Sequence, residues 1–200
     1  MIITSIDQLN PQKKYSYADY LKWQFDELVE LINGKLFRMS PAPSRLHQKI
    51  SFAISGNFYN FFQGKSCDVY HAPFDVRLPD PKKSSGDEKV FSVVQPDICI
   101  ICDKEKLDDR GCIGAPDLIV EILSPATRKK DLNEKFDLYE QSGVLEYWIV
   151  QPNDQTITVF DLTNDKYLLR KIYGAEEMIS GGVFPELVID LTKVFEIPEL

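Results

Sequence analysis

The chain has 200 residues, 44% hydrophobic and 27% charged, and its 23 basic and 31 acidic side chains leave a formal charge of −8. This is ordinary globular composition, long enough for one domain, residues 1–200, with a core that needs no staples. It excludes a broad basic nucleic-acid surface, although a local basic cleft stays compatible with it, and no apolar run approaches the roughly 20 residues of a membrane-spanning helix. The N-terminus, Met1-Ile2-Ile3-Thr4-Ser5, lacks the basic and long apolar regions of a secretory signal, so a cytoplasmic location without a membrane partner is expected.

Taken in order, the segment Tyr15 to Trp23 predicts a short helix with Ser16 as N-cap and Asp19 in the capping-box position. Leu28 to Met39 predicts a hairpin, because Asn33-Gly34 supplies the two positive-φ residues of a type I′ turn between apolar strands. Ser40 to Ser44 breaks the second strand, and Ser44 caps a helix running to about Phe62. Its apolar face reads Leu46, Ile50, Ala53, Ile54, Phe58 and Phe61, with Gly64 as the stop. Val69–His71 and Phe74–Leu78 read as two strands, or one bent strand, interrupted at Pro73. Asp80–Lys89 and Asp103–Gly114 read as polar loops, the second turning at Asp108-Asp109-Arg110-Gly111.

Two apolar runs opened by Pro-Asp then follow one another, Pro96-Asp97-Ile98-Cys99-Ile100 and Pro116-Asp117-Leu118-Ile119-Val120-Glu121-Ile122-Leu123. Next comes an amphipathic helix with Leu132, Phe136 and Tyr139 on one face and Gly143 at its end. Asp131-x-x-Glu134 is a cap signal for it, and Thr127 is a cap one turn earlier. Val144–Val150 is a strand, Thr156–Leu162 and Tyr167–Tyr173 form a hairpin, and the remainder, with Gly181-Gly182 and Pro185, covers the core and ends in a short helix. Buried strands joined by a covering helix make a mixed α/β (α+β) architecture, a central mixed β-sheet flanked by helices with additional β-hairpins.

The four cysteines, Cys67, Cys99, Cys102 and Cys112, read as buried reduced thiols. Cys99-x-x-Cys102 has zinc-like spacing, but in a strand residues three apart face opposite sides, and no second pair follows.

Charge stands where charge is expensive. Asp97, Asp117 and Glu121 lie in apolar strands, where an unpaired carboxylate costs several kcal/mol. Alternation places Asp117, Ile119, Glu121 and Leu123 on one face of their strand and Leu118, Val120 and Ile122 on the other. If the Asp97 strand pairs beside it, carboxylates converge at one sheet edge in a manner suited to Mg²⁺. An Asp, a Glu on the neighbouring strand and a nearby lysine form a nuclease arrangement. In the common PD-(D/E)XK pattern the lysine stands two residues after the glutamate, but here that slot is Leu123. Lys135, one helical turn after Asp131, is the substitute, against the plainer reading of a surface Asp131–Lys135 ion pair. Glu30 reads either as exposed on an edge strand or as a member of the acidic cluster. His47 reads as a surface or half-buried histidine with a local partner.

Several blocks together carry a resemblance: Val29-Glu30-Leu31-Ile32-Asn33-Gly34-Lys35-Leu36, Met39-Ser40-Pro41, His47, Pro96-Asp97-Ile98, Pro116 to Pro125, Asp131, Lys135, Tyr139 and Gly143-Val144-x-Glu146-Tyr147-Trp148. From about Tyr15 to about Tyr173 the chain resembles the Uma-type family of bacterial predicted restriction endonucleases. That resemblance implies a restriction-endonuclease-like PD-(D/E)XK core whose catalytic lysine has moved to the following helix. It implies Asp97 and Glu121 as metal ligands for Mg²⁺, with Mn²⁺ as a substitute, and Lys135 as the catalytic lysine. Glu30 and His47 match recurring positions as further catalytic residues, and Asp117 matches as a structural or supporting carboxylate. The implied activity is endonucleolytic hydrolysis of DNA phosphodiesters by a homodimer. The alternative is an inactive nucleic-acid- or protein-binding module that keeps the fold.

Overall fold

Runs of Ile, Val and Leu bounded by Pro, Gly and Asp become strands, and the amphipathic segments between them become the helices that cover those strands. The computed structural model describes residues 2–39, 42–80, 86–125 and 128–196. In chain order the first elements are α1 (Tyr17–Tyr20), β1 (Val29–Ile32), β2 (Lys35–Arg38), α2 (Arg45–Phe62), β3 (Asp68–His71) and β4 (Val76–Arg77). Then come β5 (Val93–Val94), β6 (Ile98–Ile101), β7 (Leu107–Asp108), β8 (Gly111–Ile113) and β9 (Leu118–Ile122). Helix α3 is composite: Arg128–Lys130, a π-helical turn over Asp131–Lys135, and Phe136–Ser142. The chain continues through β10 (Glu146–Gln151), β11 (Thr156–Thr163), β12 (Lys166–Gly174), β13 (Met178–Ser180), β14 (Val188–Asp190) and α4 (Leu191–Phe195).

Among the described residues these strands form three sheets. The central one has the order β12-β11-β10-β9-β6-β3, a second has β2-β1-β5-β4-β8-β7, and β13 pairs with β14. In the central sheet β9 and β10 run parallel, as a strand–helix–strand crossover through α3 requires, and their neighbours are antiparallel. The fold is thus mixed α/β, with large mixed sheets flanked by helices.

The alternation read in β9 decides where each layer packs. Leu118, Val120 and Ile122 meet Ile50, Ile54, Phe58 and Phe62 of α2 and the apolar side of α4. Ile119 and Leu123 point the other way, to Leu138 and Tyr139 of α3 and to Ile32, Val76 and Val94 of the second sheet. The central sheet therefore separates two cores, and a one-residue slip of β9 would exchange its faces.

Local signals hold. Ser16 and Asp19 form the reciprocal capping box, Ser44 accepts from the His47 backbone N–H, and Asn33 and Gly34 adopt φ of 53° and 80°. Three expectations need correction. The polar stretch 103–114 contains the hairpin of β7 and β8, in which Cys112 is buried and Arg77, itself buried, pairs with Asp108 at 2.6 Å. Polar residues there satisfy an internal guanidinium, so polarity did not mean loop. Asp131 does not open the helix: it is buried in the π-helical turn of α3, which begins at Arg128. Thr127, Ser40 and Pro41 lie outside the described residues, as do 81–85 of the other polar loop. Finally, Cys67 and Cys102 are joined as a disulfide, whereas Cys99 and Cys112 are free and buried as expected. The ladder pair Asp68–Ile101 sets the next residues outward, Cys67 and Cys102, against each other. As the alternation argument requires, Cys99 and Cys102 serve opposite cores.

No helix among the described residues is long and apolar enough to cross a membrane.

Candidate active site

The antiparallel register Ile98–Val120 between β6 and β9 puts Asp97, one residue before β6, at the same sheet end as Glu121. Asp97 Oδ2 accepts the Ile122 backbone N–H at 2.7 Å, which ties this side chain to the strand that bears Glu121. Its Oδ1 lies 3.3 Å from His47 Nε2. His47 arrives from the first turn of α2. Burial works against a charge on its ring, but the hydrogen bond and the charge of Asp97 outweigh burial and raise the imidazole above its ordinary value. Its Nδ1 is buried without a hydrogen-bond partner among the described residues.

Glu121 is buried, and its Oε1 accepts two short bonds, from Lys135 Nζ at 2.8 Å and from the Tyr139 hydroxyl at 2.6 Å. Both of these donors fall on one oxygen, and Glu121 lines an open cleft. Burial pushes this carboxyl up to about 8. Lys135 opposes that rise, and Asp131, Asp97 and Glu30 reinforce it.

Glu30 comes from β1 of the second sheet and is fully buried, so the edge-exposed reading fails. Its Oε1 accepts from Lys135 Nζ and from the Gln95 backbone N–H, each at 2.9 Å, and its Oε2 is bonded to Lys130 Nζ. Burial resists ionisation of Glu30, but the two ammonium groups overcome it and hold the carboxyl below its ordinary range. Burial likewise disfavours the charge on Lys135. Glu121, Glu30 and Asp131, the last at 3.8 Å, prevail and keep it protonated well above the ordinary lysine value. Lys135 thus joins a carboxylate of each large sheet and is no surface lysine.

The π-helical turn explains how one helix delivers this. In an α-helix residues five apart point about 140° away from each other. A turn with i→i+5 bonding brings Lys130 and Lys135 to one side, so both reach Glu30. The inward face of α3 is Asp131, Lys135, Leu138 and Tyr139, and Leu132, expected inside, is 38% exposed. At this end the helix meets carboxylates instead of hydrocarbon.

Asp97, Glu121, Lys135, Glu30 and His47 are therefore brought together around one cleft of about 660 Å³, although Glu30 sits behind its wall. Asp117 is not among them. It accepts the Cys102 backbone N–H at 2.8 Å at the far end of the β6–β9 pair, a structural role. The sequence reading missed Lys130 as a partner of Glu30, and it treated Tyr139 only as a packing residue. A lysine five residues before Lys135 carries no signal unless the π turn is known. Among the described residues no group of three His, Cys, Asp or Glu side chains could hold a metal ion.

A family model described as "Putative restriction endonuclease", Uma2, matches residues 17–192. This chain belongs to the Uma2 family. The match takes in all five of these residues, and membership supports a nuclease function. Among curated proteins, this Uma2 member is 26% identical over 172 residues to the uncharacterized protein slr1290 of Synechocystis sp., covering 84% of this chain and 85% of that one. Its fold is similar to the crystal structure of a "putative nuclease belonging to DUF820" from Anabaena variabilis, with a TM-score of 0.69 at 18% identity over 90% of this chain and 97% of the other. At that identity the likeness establishes the fold.

Proposed function

We propose that the protein is a divalent-metal-dependent endonuclease hydrolysing phosphodiester bonds of DNA. The observation that carries this reading is the meeting of Asp97 and Glu121, from neighbouring strands, at one cleft with Lys135 Nζ 2.8 Å from Glu121. The donors suit Mg²⁺, with Mn²⁺ as substitute, because Mg²⁺ is commonly held by one or two carboxylates and completed by water and substrate phosphate. Two carboxylates without a third ligand side chain fit that habit better than they fit an all-protein cage. Asp97 and Glu121 would hold the ion, which when bound polarises a phosphoryl oxygen and lowers the pKa of water.

The protein's own groups supply the rest. Lys135 stays charged in a water-poor setting and offers positive potential where negative charge gathers on the phosphate. Glu30 and Tyr139 fix the ammonium and the Glu121 carboxylate from behind. His47 and the Ile122 N–H orient Asp97.

The test joins calorimetric titration with Mg²⁺ or Mn²⁺ to a plasmid-nicking assay on the wild type, Asp97→Ala and Lys135→Ala. Metal binding lost in Asp97→Ala, with nicking lost in both variants, supports the reading. Nicking unchanged in both, or a wild type that cleaves neither plasmid nor single-stranded DNA, overturns it. The charge of −8 favours a second reading, a nucleic-acid- or protein-binding module without turnover, which expects partner binding that neither substitution alters.

A further inference from the structure

Helix α2 walls the cleft with Ser44, Leu46, His47, Gln48 and Ser51, and its outward side continues away from that wall. At 100° per residue, Arg45, Gln48, Phe52 and Tyr59 fall within roughly 60° of one another. Phe52 is 82% exposed and Tyr59 62% exposed, although the helix already buries Ile50, Ile54, Phe58 and Phe62 on its other side. Two aromatic rings in water, on a stripe that starts at the cleft and begins with an exposed arginine, serve no core.

The cleft itself is poor in positive charge. Among its described lining residues Lys130 is bonded to Glu30, and Lys135 is buried and held by Glu30, Glu121 and Asp131. Its walls are largely apolar, with Leu28, Met39, Leu46, Leu123 and several prolines. A duplex carries one charge per about 1.7 Å of axis and is held chiefly through its phosphates. An unpaired strand presents the flat apolar faces of its bases, so aromatic platforms can hold it with few cations. The cleft volume of about 660 Å³ encloses a ligand of small-molecule size, a scale of roughly 300–1,000 Å³.

We infer that the substrate is an unpaired nucleic-acid strand, whose bases stack on Phe52 and Tyr59 while its backbone passes Arg45 into the cleft. This rests on the nuclease reading for what happens in the cleft but not for binding along α2. The test is fluorescence anisotropy in EDTA, where no turnover is needed, with labelled oligothymidylate and a duplex of equal length, on the full chain and on Phe52→Ala/Tyr59→Ala. Both rings are exposed, so the variant should melt like the wild type.

The expected result is tighter binding of the single strand than of the duplex, with single-strand affinity reduced about tenfold or more in the variant. Equal or tighter duplex binding overturns the inference, as does unchanged single-strand binding in the variant. If the wild type self-associates, the variant does not and strand binding is unaltered, the stripe is an interface with a second copy and the inference fails. Cleavage confined to duplex would refute the inference alone. Strand binding without any cleavage would refute the nuclease reading alone.

Discussion

Glu121 and Glu146 stand on adjacent parallel strands, both buried, yet their surroundings differ in kind. Glu146 is saturated. Oε1 accepts from Trp148 Nε1 at 2.6 Å and faces Arg170 Nη1 at 3.4 Å, while Oε2 accepts from the backbone N–H groups of Gly182 and Val183 at 2.7 and 2.8 Å. One oxygen is spent inside the central sheet, on β10 and β12, and the other on closing the segment after β13 over it. Glu121 has its donors on one oxygen, three other carboxylates around it, and a cleft beside it. A buried carboxylate with every lone pair engaged is architecture, whereas one with its donors on a single oxygen beside a cleft is what the proposed metal site requires.

The sharpest way to break that contrast is to neutralise each carboxylate in turn. Glu121→Gln should cost at least about 10²-fold in phosphodiester cleavage, on the scale of losing one preorganised electrostatic contact, and leave the melting temperature unchanged or raised. A variant that cleaves like the wild type would end the site assignment. Glu146→Ala should do the reverse and destabilise by about 3–5 kcal/mol, because the buried Trp148 Nε1–H and the partly buried Arg170 lose their acceptor. Thermal unfolding and residual activity below the transition separate the two outcomes.

Lys135→Met tests the coupling between the sheets. With the shared cation gone, Glu121 loses its ammonium and keeps only the Tyr139 hydroxyl, while Glu30 keeps Lys130 and the Gln95 N–H, and a loss of about 3–5 kcal/mol in denaturant unfolding is expected at neutral pH. The loss should shrink in acid, where the carboxyls are protonated.

The pH dependence follows from the same cluster. In metal-free buffer the folded Glu121 carboxyl is raised from 4.5 to about 8, so the native state binds the proton more tightly than the unfolded chain does. Its contribution to stability is fully present below about pH 4.5 and is lost as pH rises through about 8. Melting temperatures of the wild type relative to Glu121→Gln should fall across that window, and saturating Mg²⁺ should flatten the fall by favouring the carboxylate. A flat difference without metal would contradict the burial argument.

The smallest effects come from a matched pair, Tyr139→Phe and Trp148→Phe, each deleting one donor to a buried carboxylate. Tyr139→Phe should cost about 1–3 kcal/mol of stability, and Trp148→Phe more, because it also leaves a cavity where the fully buried indole was. Only Tyr139→Phe should also slow cleavage, since only its acceptor faces the cleft.

Much of this was legible in the chain. Proline–aspartate openings, period-two alternation in β9 and the Asn33-Gly34 turn each depend on residues within a few positions of one another, where sterics and pleat leave little choice. The site was legible in part for a different reason. Charged residues inside apolar strands are costly enough that Asp97 and Glu121 stood out before any partner was known. Glu30 and His47 were ambiguous because one carboxylate or imidazole in an amphipathic segment suits a surface as readily as a cluster.

By itself, then, the sequence determined the elements, the two faces of β9 and the identity of the costly carboxylates, all of them consequences of local geometry and of hydration. The tertiary structure alone decided which strands lie side by side, that Glu30 of the second sheet shares Lys135 with Glu121, and that a π turn aligns Lys130 with it. It alone decided that Cys67 meets Cys102 and that Glu146 is sealed while Glu121 is not. The pairings of Lys135 with Glu121 and Glu30 and of Cys67 with Cys102 join residues from 14 to 105 positions apart, and no short-range preference encodes them. They are chosen when the packed sheets leave each buried polar group one available partner.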